Sequence, residues 1–429
     1  MTTPGIQIGE RFLALKDMNV QAGRAAGGFA ALGIGQGDSV AIMLRNDIPF
    51  MLASAGASRL GAYPVPINWH LKEEEVNYIL KDCEAKALVI HADLLSGIGG
   101  AVPPGVTVFS VPTPPEVAAA YGITEAQQQH GVDAVVWEEW LEQQPPKEEQ
   151  PELQVASMIY TSGTTGRPKG VRRAPSPPER AEANMAIAVK AFGLAPGMRT
   201  IIPAPLYHSA PNGYAGLALR MEGLLVLQPR FDAEEFLALI ERHKITRIQV
   251  VPTMFVRLLR LPEDVRNRYD LSSLEYTIHA SAPCPPKIKK AMIDWWGPIV
   301  HEFYGSTEVG IITHCDSAEA LSHPGTVGRA VEKAIVRIYD DDGAELPTGG
   351  IGTVYCRMTT SSDFTYQGDD AKRRSIERDG LITNGDVGYL DDEGFLWIVP
   401  VGGWDPQIVQ GQRAVIRGKK GRVGGVIGK

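Results

Sequence analysis

The apolar residues along the first 112 positions follow two spacings in turn. Short runs that are apolar almost throughout, such as 39–44 and 87–91, alternate with longer segments whose apolar residues recur every three or four positions. The first pattern predicts buried strands and the second predicts amphipathic helices. The predicted helices cover 12–32, 48–60 and 71–80, and the predicted strands cover 39–44, 63–67, 87–91 and 106–111.

A second alternating set covers residues 155–300. It predicts strands over 247–251, 274–279 and 299–303 and helices over 234–243 and 287–296. Asp232 and Glu235 have the spacing of a capping box at the start of the helix 234–243. Alternation of this kind is typical of a sheet covered by helices on both faces.

Three further stretches differ from these two sets in composition or in the spacing of their apolar residues. Residues 112–151 are rich in Pro, Gln and Glu and are interpreted as a surface excursion. From 325 to 399, short strand-like runs are separated by turn signals such as the Asp341-Asp342-Gly343 triplet, which predicts a small barrel-like β unit. Residues 401–429 hold eight glycines, six Lys or Arg and one acid, which favours solvated disorder over an anion-binding segment.

The predicted fold class is therefore α/β, with two helix-covered, mostly parallel sheets and a small β-barrel-like subdomain. We divide the chain into one domain over 1–399 and a Gly-rich basic tail over 400–429. Within the domain, the expected subdomains are 1–152, 153–324 and 325–399.

Composition narrows the class of protein. The chain has 429 residues, 44% apolar and 21% charged, as in an ordinary soluble protein, and its net charge of −8 argues against a general nucleic-acid binder. The four cysteines are far apart and form no C-x-x-C pair, so neither a zinc site nor a disulfide framework is expected and a cytoplasmic location fits. No signal peptide and no integral membrane segment is evident.

The most informative segment is 160–170, with the sequence YTSGTTGRPKG. Its glycines let backbone N–H groups turn toward an anion, its hydroxyls add donors, and Lys169 can neutralise part of a polyphosphate. Gly170 follows that lysine, so the segment is not a Walker A loop. An ordinary polar surface loop is the alternative. The ordered string favours a phosphate loop that follows a strand.

Two later motifs contain side chains whose oxygens or aromatic rings could bind parts of a nucleotide. Tyr304-Gly305-Ser306-Thr307-Glu308 ends a predicted strand and offers a ring for a purine, a hydroxyl for a phosphate and a hard carboxylate oxygen for Mg²⁺. A tight turn is its alternative interpretation.

Asp386 precedes the apolar run 387–390. A carboxylate at a strand edge can accept both hydroxyls of a ribose, and it can equally satisfy the backbone of a turn.

Two weaker signals complete the set. His208 lies among an aromatic and small residues and could border an acyl pocket, although a lone histidine is more often structural. Small residues at Ser281, Ala282 and Pro283 directly follow a predicted strand, where a flat ring could slide against the backbone.

The order and spacing of these motifs resemble the adenylate-forming superfamily of acyl-CoA synthetases, luciferases and peptide-synthetase adenylation domains. The resemblance covers nearly all of residues 12–399, including the segments 37–42 and 60–66. It implies that a phosphate loop embraces the β- and γ-phosphates of ATP, with Lys169 and with Thr161, Ser162, Gly163, Thr164, Thr165 and Gly166 as its members.

The resemblance also implies roles for the other motifs. Tyr304 would pack on adenine near Gly305, beside the backbone of Ser281, Ala282 and Pro283. Thr307 would hold the α-phosphate, Glu308 the magnesium ion and Asp386 the ribose, and His208 would lie between the nucleotide and the acyl group. The catalytic set it implies is Thr307, Glu308, His208 and Lys169.

The implied reaction joins a carboxylic acid to ATP as acyl-AMP and then to CoA as a thioester, with Mg²⁺ as cofactor. An α-amino acid is disfavoured because the Asp that amino-acid adenylators carry near the position of His208 is absent. Small residues at Ser209, Ala210, Asn212, Gly213 and Gly310 leave room for a fatty, aromatic or polycyclic acid. The sequence leaves three possibilities open: a carrier protein in place of CoA as the acyl acceptor, a catalytically silent nucleotide-binding module, and a homodimer.

The chain departs from the family pattern in two places. Arg172-Arg173-Ala174-Pro175 stands where the family usually has a Thr-His or Ser-His pair. Pro400 and Val401 stand where the family has an Asp-Arg pair at the hinge of a C-terminal lid, and the remaining tail does not resemble that lid. We therefore expect nucleotide and acid binding to be retained and turnover to be impaired, because the lid supplies a lysine to the transition state.

Overall fold

The computed structural model describes residues 3–128, 133–149, 151–161 and 167–399. The helices are α1 Leu15–Ala31, α2 Ile48–Ser58, α3 Glu73–Asp82, α4 Ala92–Leu95, α5 Pro115–Tyr121, α6 Trp137–Glu142, α7 Pro178–Ala191, α8 Ser209–Arg220, α9 Ala233–His243, α10 Pro252–Leu259, α11 Glu263–Arg266, α12 Pro286–Trp296, α13 Ser317–Ser322 and α14 Asp370–Ser375.

The strands are β1 Gly5–Ile8, β2 Arg11–Ala14, β3 Ser39–Met43, β4 Tyr63–Pro66, β5 Ala85–His91, β6 Thr107–Val111, β7 Val135–Val136, β8 Ile159–Thr161, β9 Lys169–Arg173, β10 Arg199–Ile202, β11 Leu224–Leu227, β12 Arg247–Val250, β13 Tyr276–His279, β14 Val300–Ser306, β15 Gly310–Cys315, β16 Arg329–Ala330, β17 Ala334–Tyr339, β18 Gly352–Met358, β19 Phe364–Tyr366, β20 Glu377–Arg378, β21 Leu381–Ile382, β22 Val387–Leu390 and β23 Leu396–Val399.

The first sheet has the order β4-β3-β5-β6-β7, and all of its pairings are parallel. Its central strands β3 and β5 are mostly apolar on both faces and buried apart from Lys86, as a sheet between helical layers requires. Helix α1 packs closely on α2, where a side chain at Gly56 would lie 2.6 Å from the Cβ atom of Ala25. The predicted parallel sheet of the first subdomain is confirmed.

The second parallel arrangement is the sheet β12-β13-β14-β15-β16, in which β12, β13 and β14 run parallel and β15 and β16 antiparallel. A third sheet has the order β10-β11-β1-β2. Because β1 pairs with β11, this sheet joins strands from both sides of the boundary expected at residue 152. The subdomain division itself stays a proposal.

Three sequence-based expectations need correction. The predicted helix over 12–32 begins at Leu15, because residues 11–14 form β2, which pairs with β1. The excursion 112–151 is not confined to the surface, since Trp137 is 1% exposed and its ring lies 5.8 Å from that of Phe109. Asp232 caps α9 as predicted, but the Glu235 carboxylate accepts a hydrogen bond from Gln228 and does not close the box.

The carboxyl-terminal β unit is an open sheet with the order β20-β21-β18-β22-β23, and β17 pairs on the other edge of β18. Among the described residues no pairing closes it into a barrel, so the barrel-like prediction is wrong. Strand β19 leaves this unit and pairs with β9, in the small sheet β19-β9-β8. That crossing brings the β unit against the predicted phosphate segment.

The tail 400–429 lies outside the described residues. Within the described ranges, no helix combines the length and apolar content that crossing a membrane requires.

Candidate active site

The two strands that flank the predicted phosphate loop are paired. Thr161, the last residue of β8, lies opposite Lys169, the first residue of β9. The predicted loop members Ser162, Gly163, Thr164, Thr165 and Gly166 lie outside the described residues. The Lys169 ammonium is 3.4 Å from an Asp369 carboxylate oxygen and 5.4 Å from the centre of the Tyr366 ring.

The Tyr304–Glu308 motif forms the end of β14 and the turn into β15. Ser306 pairs with Gly310, and the Ser306 hydroxyl oxygen accepts the N–H groups of Glu308 and Val309 at 3.1 and 3.3 Å. Gly305 is required here, because a Cβ atom at this position would lie 1.9 Å from the carbonyl oxygen of Gly310. The tight turn and the ligand-bearing motif are therefore the same structure.

Tyr366 connects this turn to the phosphate segment. Its hydroxyl donates to a Glu308 carboxylate oxygen at 3.2 Å, and its ring carries the Lys169 ammonium on one face. Burial and the nearby Glu308 charge raise the pKa of Tyr366, which keeps the hydroxyl protonated as a donor. A lysine suited to phosphate and a carboxylate suited to a cation thus share one neighbouring side chain.

Thr307 links the turn to helix α8. Its hydroxyl donates to the hydroxyl of Ser209 at 3.0 Å, and Ser209 is the first residue of α8, directly after His208. His208 is exposed on the protein surface and its ring lies 4.5 Å from that of Tyr207. Partial desolvation lowers the pKa of His208, so its imidazole is neutral near pH 7.

The segment before His208 is held by a residue that no motif indicated. Asn46 is 3% exposed, and its amide nitrogen donates to the carbonyls of Ile202, Ala204 and Gln228 at 3.3, 3.0 and 3.1 Å. Its amide oxygen accepts the N–H of Leu206 at 2.9 Å. Asn46 therefore ties the end of β3 to the loop that leads to His208.

Asp386 lies beside the tyrosine of the turn motif. Tyr304 donates its hydroxyl to one Asp386 carboxylate oxygen at 2.7 Å, and Ser306 donates to the side-chain oxygen of Asn384 at 3.1 Å. Burial, followed by the Asp386 charge, raises the pKa of Tyr304. The Asp386 carboxylate thus accepts from Tyr304, and it retains further lone pairs for a ligand.

Ser281, Ala282 and Pro283 follow β13 and are exposed. Because His279 on β13 pairs with Glu302 on β14, Ser281 lies at the level of Tyr304 at the carboxyl ends of these parallel strands. Ser281 has φ of +71°, a left-handed conformation that costs a non-glycine residue about 1–3 kcal/mol. Strain of this size is common in ligand-binding segments.

The described part of the chain holds no group of three or more His, Cys, Asp or Glu side chains able to bind a metal ion. A cavity of about 350 Å³ lined by Arg266, Tyr269, Trp295 and Trp296, among others, contains none of the motif residues. A second and much smaller cavity, of about 20 Å³, has Glu308 of the turn motif among its lining residues, together with Arg173 and Phe364.

Sequence reasoning missed Tyr366, Asp369 and Asn46. Tyr366 and Asp369 reach the site only because β19 pairs with β9, a long-range pairing that no local pattern reveals. Asn46 comes two residues after the apolar run 39–44, and an amide at the carboxyl end of a predicted strand was the only local signal.

The profile of the AMP-binding enzyme family matches residues 8–361, and the chain belongs to this family of ATP-dependent acid–thiol ligases. A profile of M42 glutamyl aminopeptidase matches 386–429, a segment that includes β22, β23 and the tail outside the described residues. The family membership agrees with the resemblance inferred from the motifs.

The chain is similar to ligases of CoA and to a ligase of a carrier protein. The chain is 30% identical to an indoleacetate–CoA ligase of Aromatoleum aromaticum, over 92% of this chain and 74% of that protein. It is 27% identical to the fatty acid–[acyl-carrier-protein] ligase ScoC of Streptomyces coeruleorubidus, over 92% and 74%. The anthranilate CoA ligase AuaEII, solved with anthranoyl-AMP, superposes with a TM-score of 0.80 at 25% identity, covering 92% of this chain and 74% of that one.

Proposed function

We propose that this chain activates a hydrophobic carboxylic acid with ATP and transfers the acyl group to the thiol of CoA. The observation that supports the proposal is the contact of Tyr366 with both Lys169 and Glu308, because it brings a lysine suited to phosphate and a carboxylate suited to a metal ion beside one side chain. Relatives that act on indoleacetate and on fatty acids support a hydrophobic acid.

In the first step, a carboxylate oxygen attacks the α-phosphorus of ATP, and the bond to the β-phosphate oxygen breaks, so that pyrophosphate leaves with the electron pair. In the second step, the thiol sulfur attacks the acyl carbonyl, loses its proton and displaces AMP. Both steps depend on positioning and on neutralising phosphate charge. The protein needs no covalent group of its own.

We assign Lys169 and Thr161 to the β- and γ-phosphates, together with the loop members 162–166, and Thr307 to the α-phosphate. Asp386 would accept the ribose hydroxyls with the lone pairs that Tyr304 leaves available. Tyr304 and the segment of Ser281, Ala282 and Pro283 would border the adenine.

Glu308 is the residue that would hold Mg²⁺. Carboxylate oxygen is a ligand that Mg²⁺ prefers, and this ion commonly takes one or two protein carboxylates plus phosphates and water. Glu308, a single carboxylate at the turn, is compatible with this kind of Mg²⁺ coordination. When bound, the ion neutralises charge on the phosphates.

Space for the acyl group lies along helix α8. Side chains added at Gly213 or Gly216 would meet no atom within 4 Å, and these two positions lie three residues apart on one helix face, beginning near His208. Asn212, in contrast, is occupied, because its amide bonds the Ser157 hydroxyl and the Leu206 carbonyl. We therefore assign Asn212 to the support of the His208 loop and not to the acyl pocket.

The test is carboxylate-dependent exchange of pyrophosphate into ATP, measured with indole-3-acetate, anthranilate, octanoate and palmitate. Glu308→Gln and Lys169→Met should each lower the exchange rate about 100-fold, because each removes a charge that acts on the phosphates. Lys244→Met is the matched control, since Lys244 forms an exposed ion pair with Asp270 at 2.9 Å. Equal rates in all three variants would contradict the assigned site.

Two alternative functions predict different results in these assays. Transfer to a carrier protein is favoured by the likeness to ScoC, and thioester formation with a holo-acyl-carrier protein but not with CoA would establish it. A silent nucleotide-binding module would bind ATP with no carboxylate-dependent exchange. Self-association into a homodimer stays a prediction from the sequence, which light scattering tests.

A further inference from the structure

Strand β9 ends in two successive arginines, Arg172 and Arg173, which occupy the place where the chain departs from its family's usual pattern. Successive side chains of a strand point to opposite faces, so the two arginines serve different neighbours. Arg172 donates to the carbonyl of Gly37 at 3.1 Å and to the Gln367 side chain at 3.2 Å. It therefore fastens β9 to the border of the first sheet, away from the turn motif.

Arg173 faces the candidate active site. One of its terminal nitrogens, Nη2, donates to the carbonyls of Thr307 and Glu308 at 2.8 and 3.0 Å, and the other, Nη1, donates to the carbonyl of Ser362 at 3.0 Å. All three bonds go to backbone oxygens. The guanidinium therefore binds the backbone at the turn and at Ser362, and these bonds do not depend on the side chains of the turn.

The shared donor restricts the shape of the turn. In an extended strand, consecutive carbonyls point in opposite directions, so one nitrogen can bind those of Thr307 and Glu308 only when the chain turns there. The Ser306 hydroxyl binds the N–H groups of Glu308 and Val309 in the same turn. A planar guanidinium supplies the required fork of donors, which a lysine ammonium cannot reproduce.

Arg173 also links the turn to the phosphate side of the site. Lys169 and Arg173 lie four residues apart on β9, on the same face and about 13 Å from one another. Lys169 contacts Tyr366, whose hydroxyl binds the Glu308 side chain, while Arg173 binds the Glu308 backbone. One strand thus fixes both the lysine and the glutamate.

We infer that Arg173 is a positioning residue, which sets the Thr307–Glu308 turn so that the hydroxyl and the carboxylate meet the α-phosphate and its metal ion. The inference rests on the proposed function for its chemical consequence. Its structural part, that Arg173 orders the turn, is independent of any reaction.

The structural part is tested by hydrogen exchange of the purified chain, followed by mass spectrometry on peptides that span 304–313. Arg173→Met should speed exchange of the turn amides at least tenfold, since the turn loses the two bonds that its Thr307 and Glu308 carbonyls accept. Arg172→Met is the matched control. It removes a neighbouring arginine of the same strand and should leave the 304–313 peptides unchanged.

The chemical part is tested by the pyrophosphate exchange rate as a function of Mg²⁺ concentration. Arg173→Met should lower the maximal rate about 100-fold and raise the Mg²⁺ concentration for half-saturation, because a turn displaced by about 1 Å misplaces both ligands. The KM for the acid should change little. Arg173→Lys should fall between wild type and Arg173→Met, whereas Arg172→Met should keep the Mg²⁺ dependence of wild type.

Each result decides the inference. Unchanged amide exchange in Arg173→Met, or the same change in Arg172→Met, overturns it. If Arg173→Met does not fold, Arg173→Lys and Arg172→Lys replace the pair, and equal turn exchange in those two variants overturns it as well. Absence of carboxylate-dependent exchange in wild type would defeat the proposed function alone, because the amide exchange of the turn still measures what Arg173 does.

Discussion

Two parallel sheets of this molecule end in polar residues, and they use them differently. At the carboxyl ends of β3, β5 and β6, which we call the closed edge, the polar side chains bond one another. Arg45 binds Asp93 through two bonds of 2.9 and 2.8 Å, and Asp47 lies 3.2 Å from His91 and 2.5 Å from Arg11. Asp47 is 1% exposed and His91 is fully buried.

At the carboxyl ends of β13 and β14, which we call the open edge, polar groups are exposed or partly exposed. Ser281 is exposed in a left-handed conformation. Thr307 and Glu308 are partly exposed, and the side chain of each makes one hydrogen bond with a neighbouring side chain. The same position in the two sheets thus serves cohesion in one and, in the function we propose, ligand binding in the other. Burial and mutual pairing distinguish the two uses, whereas residue type does not.

The largest expected effect comes from breaking the closed edge. Asp47→Asn should lower the free energy of unfolding by about 3–5 kcal/mol, because it leaves Arg11 and His91 facing an uncharged amide in a buried place. Urea denaturation measures the change. Asp294→Asn, which breaks the exposed pair with Lys290, should cost less than about 1 kcal/mol.

This effect should depend on pH. Burial raises the pKa of Asp47, but hydrogen bonding and charge from His91 and Arg11 outweigh it and hold the pKa below its ordinary value of 3.8. A depressed pKa stabilises the folded state fully above the unfolded pKa, and this stabilisation is lost as the pH falls through the folded value. The difference between wild type and Asp47→Asn should therefore shrink below about pH 4. A difference that stays constant would contradict the assignment.

Much of the fold could be predicted from the sequence because the relevant signals are local. The buried strand β3 and the helices α2 and α12 follow apolar spacing, and their bounds lie within two residues of the expected ones. Residues 12–14 were assigned wrongly, because they pair with β1, and β1 is held in its sheet by a strand far along the chain. Phe12 pairs with Gln7 in a strand whose other neighbour, β11, lies more than 200 residues away.

The site was predictable where chemistry lies in one short string. The turn motif and Asp386 could be found in this way, and the structure brings Tyr304 and Asp386 together. Asn46, Arg173 and Tyr366 could not be assigned, because each acts through contacts with residues distant in sequence. Local residue types show what could bind a nucleotide, whereas the residues that position it depend on topology.

The next effect in size concerns the residue that joins the closed edge to the His208 loop. Asn46→Ala should destabilise the protein by about 2 kcal/mol, because a buried N–H of Leu206 and three carbonyls lose their partner. It should also speed amide exchange in peptides that span 203–213 and raise the KM for the acid. Asn77→Ala, which removes a single bond to the Ala101 carbonyl, should cost about 1 kcal/mol and leave that segment unchanged. If both variants left the 203–213 peptides alike, Asn46 would not couple the closed edge to the His208 loop.

The smallest effect lies beneath the open edge, at His279. This histidine is fully buried, with Lys289, Glu302 and His301 nearby, and neither ring nitrogen has a hydrogen-bond partner among the described residues. Burial, followed by the charge of Lys289, lowers the pKa of His279 well below 6.5, so the ring is neutral in the folded protein. Its contribution is then complete above the unfolded pKa and is lost as the pH falls below it, since unfolding takes up a proton.

Between pH 6.5 and 5, wild type should therefore lose stability relative to His279→Gln by up to about 1.4 kcal/mol per pH unit. Phe255→Leu is the control, because the ring centres of Phe255 and His279 lie 5.3 Å apart and Phe255 carries no titrating group, so its effect should not vary with pH. Equal slopes for the two variants would show that His279 is not held neutral. A buried charge would then lie beneath the open edge, and the two edges would no longer differ in holding buried charge.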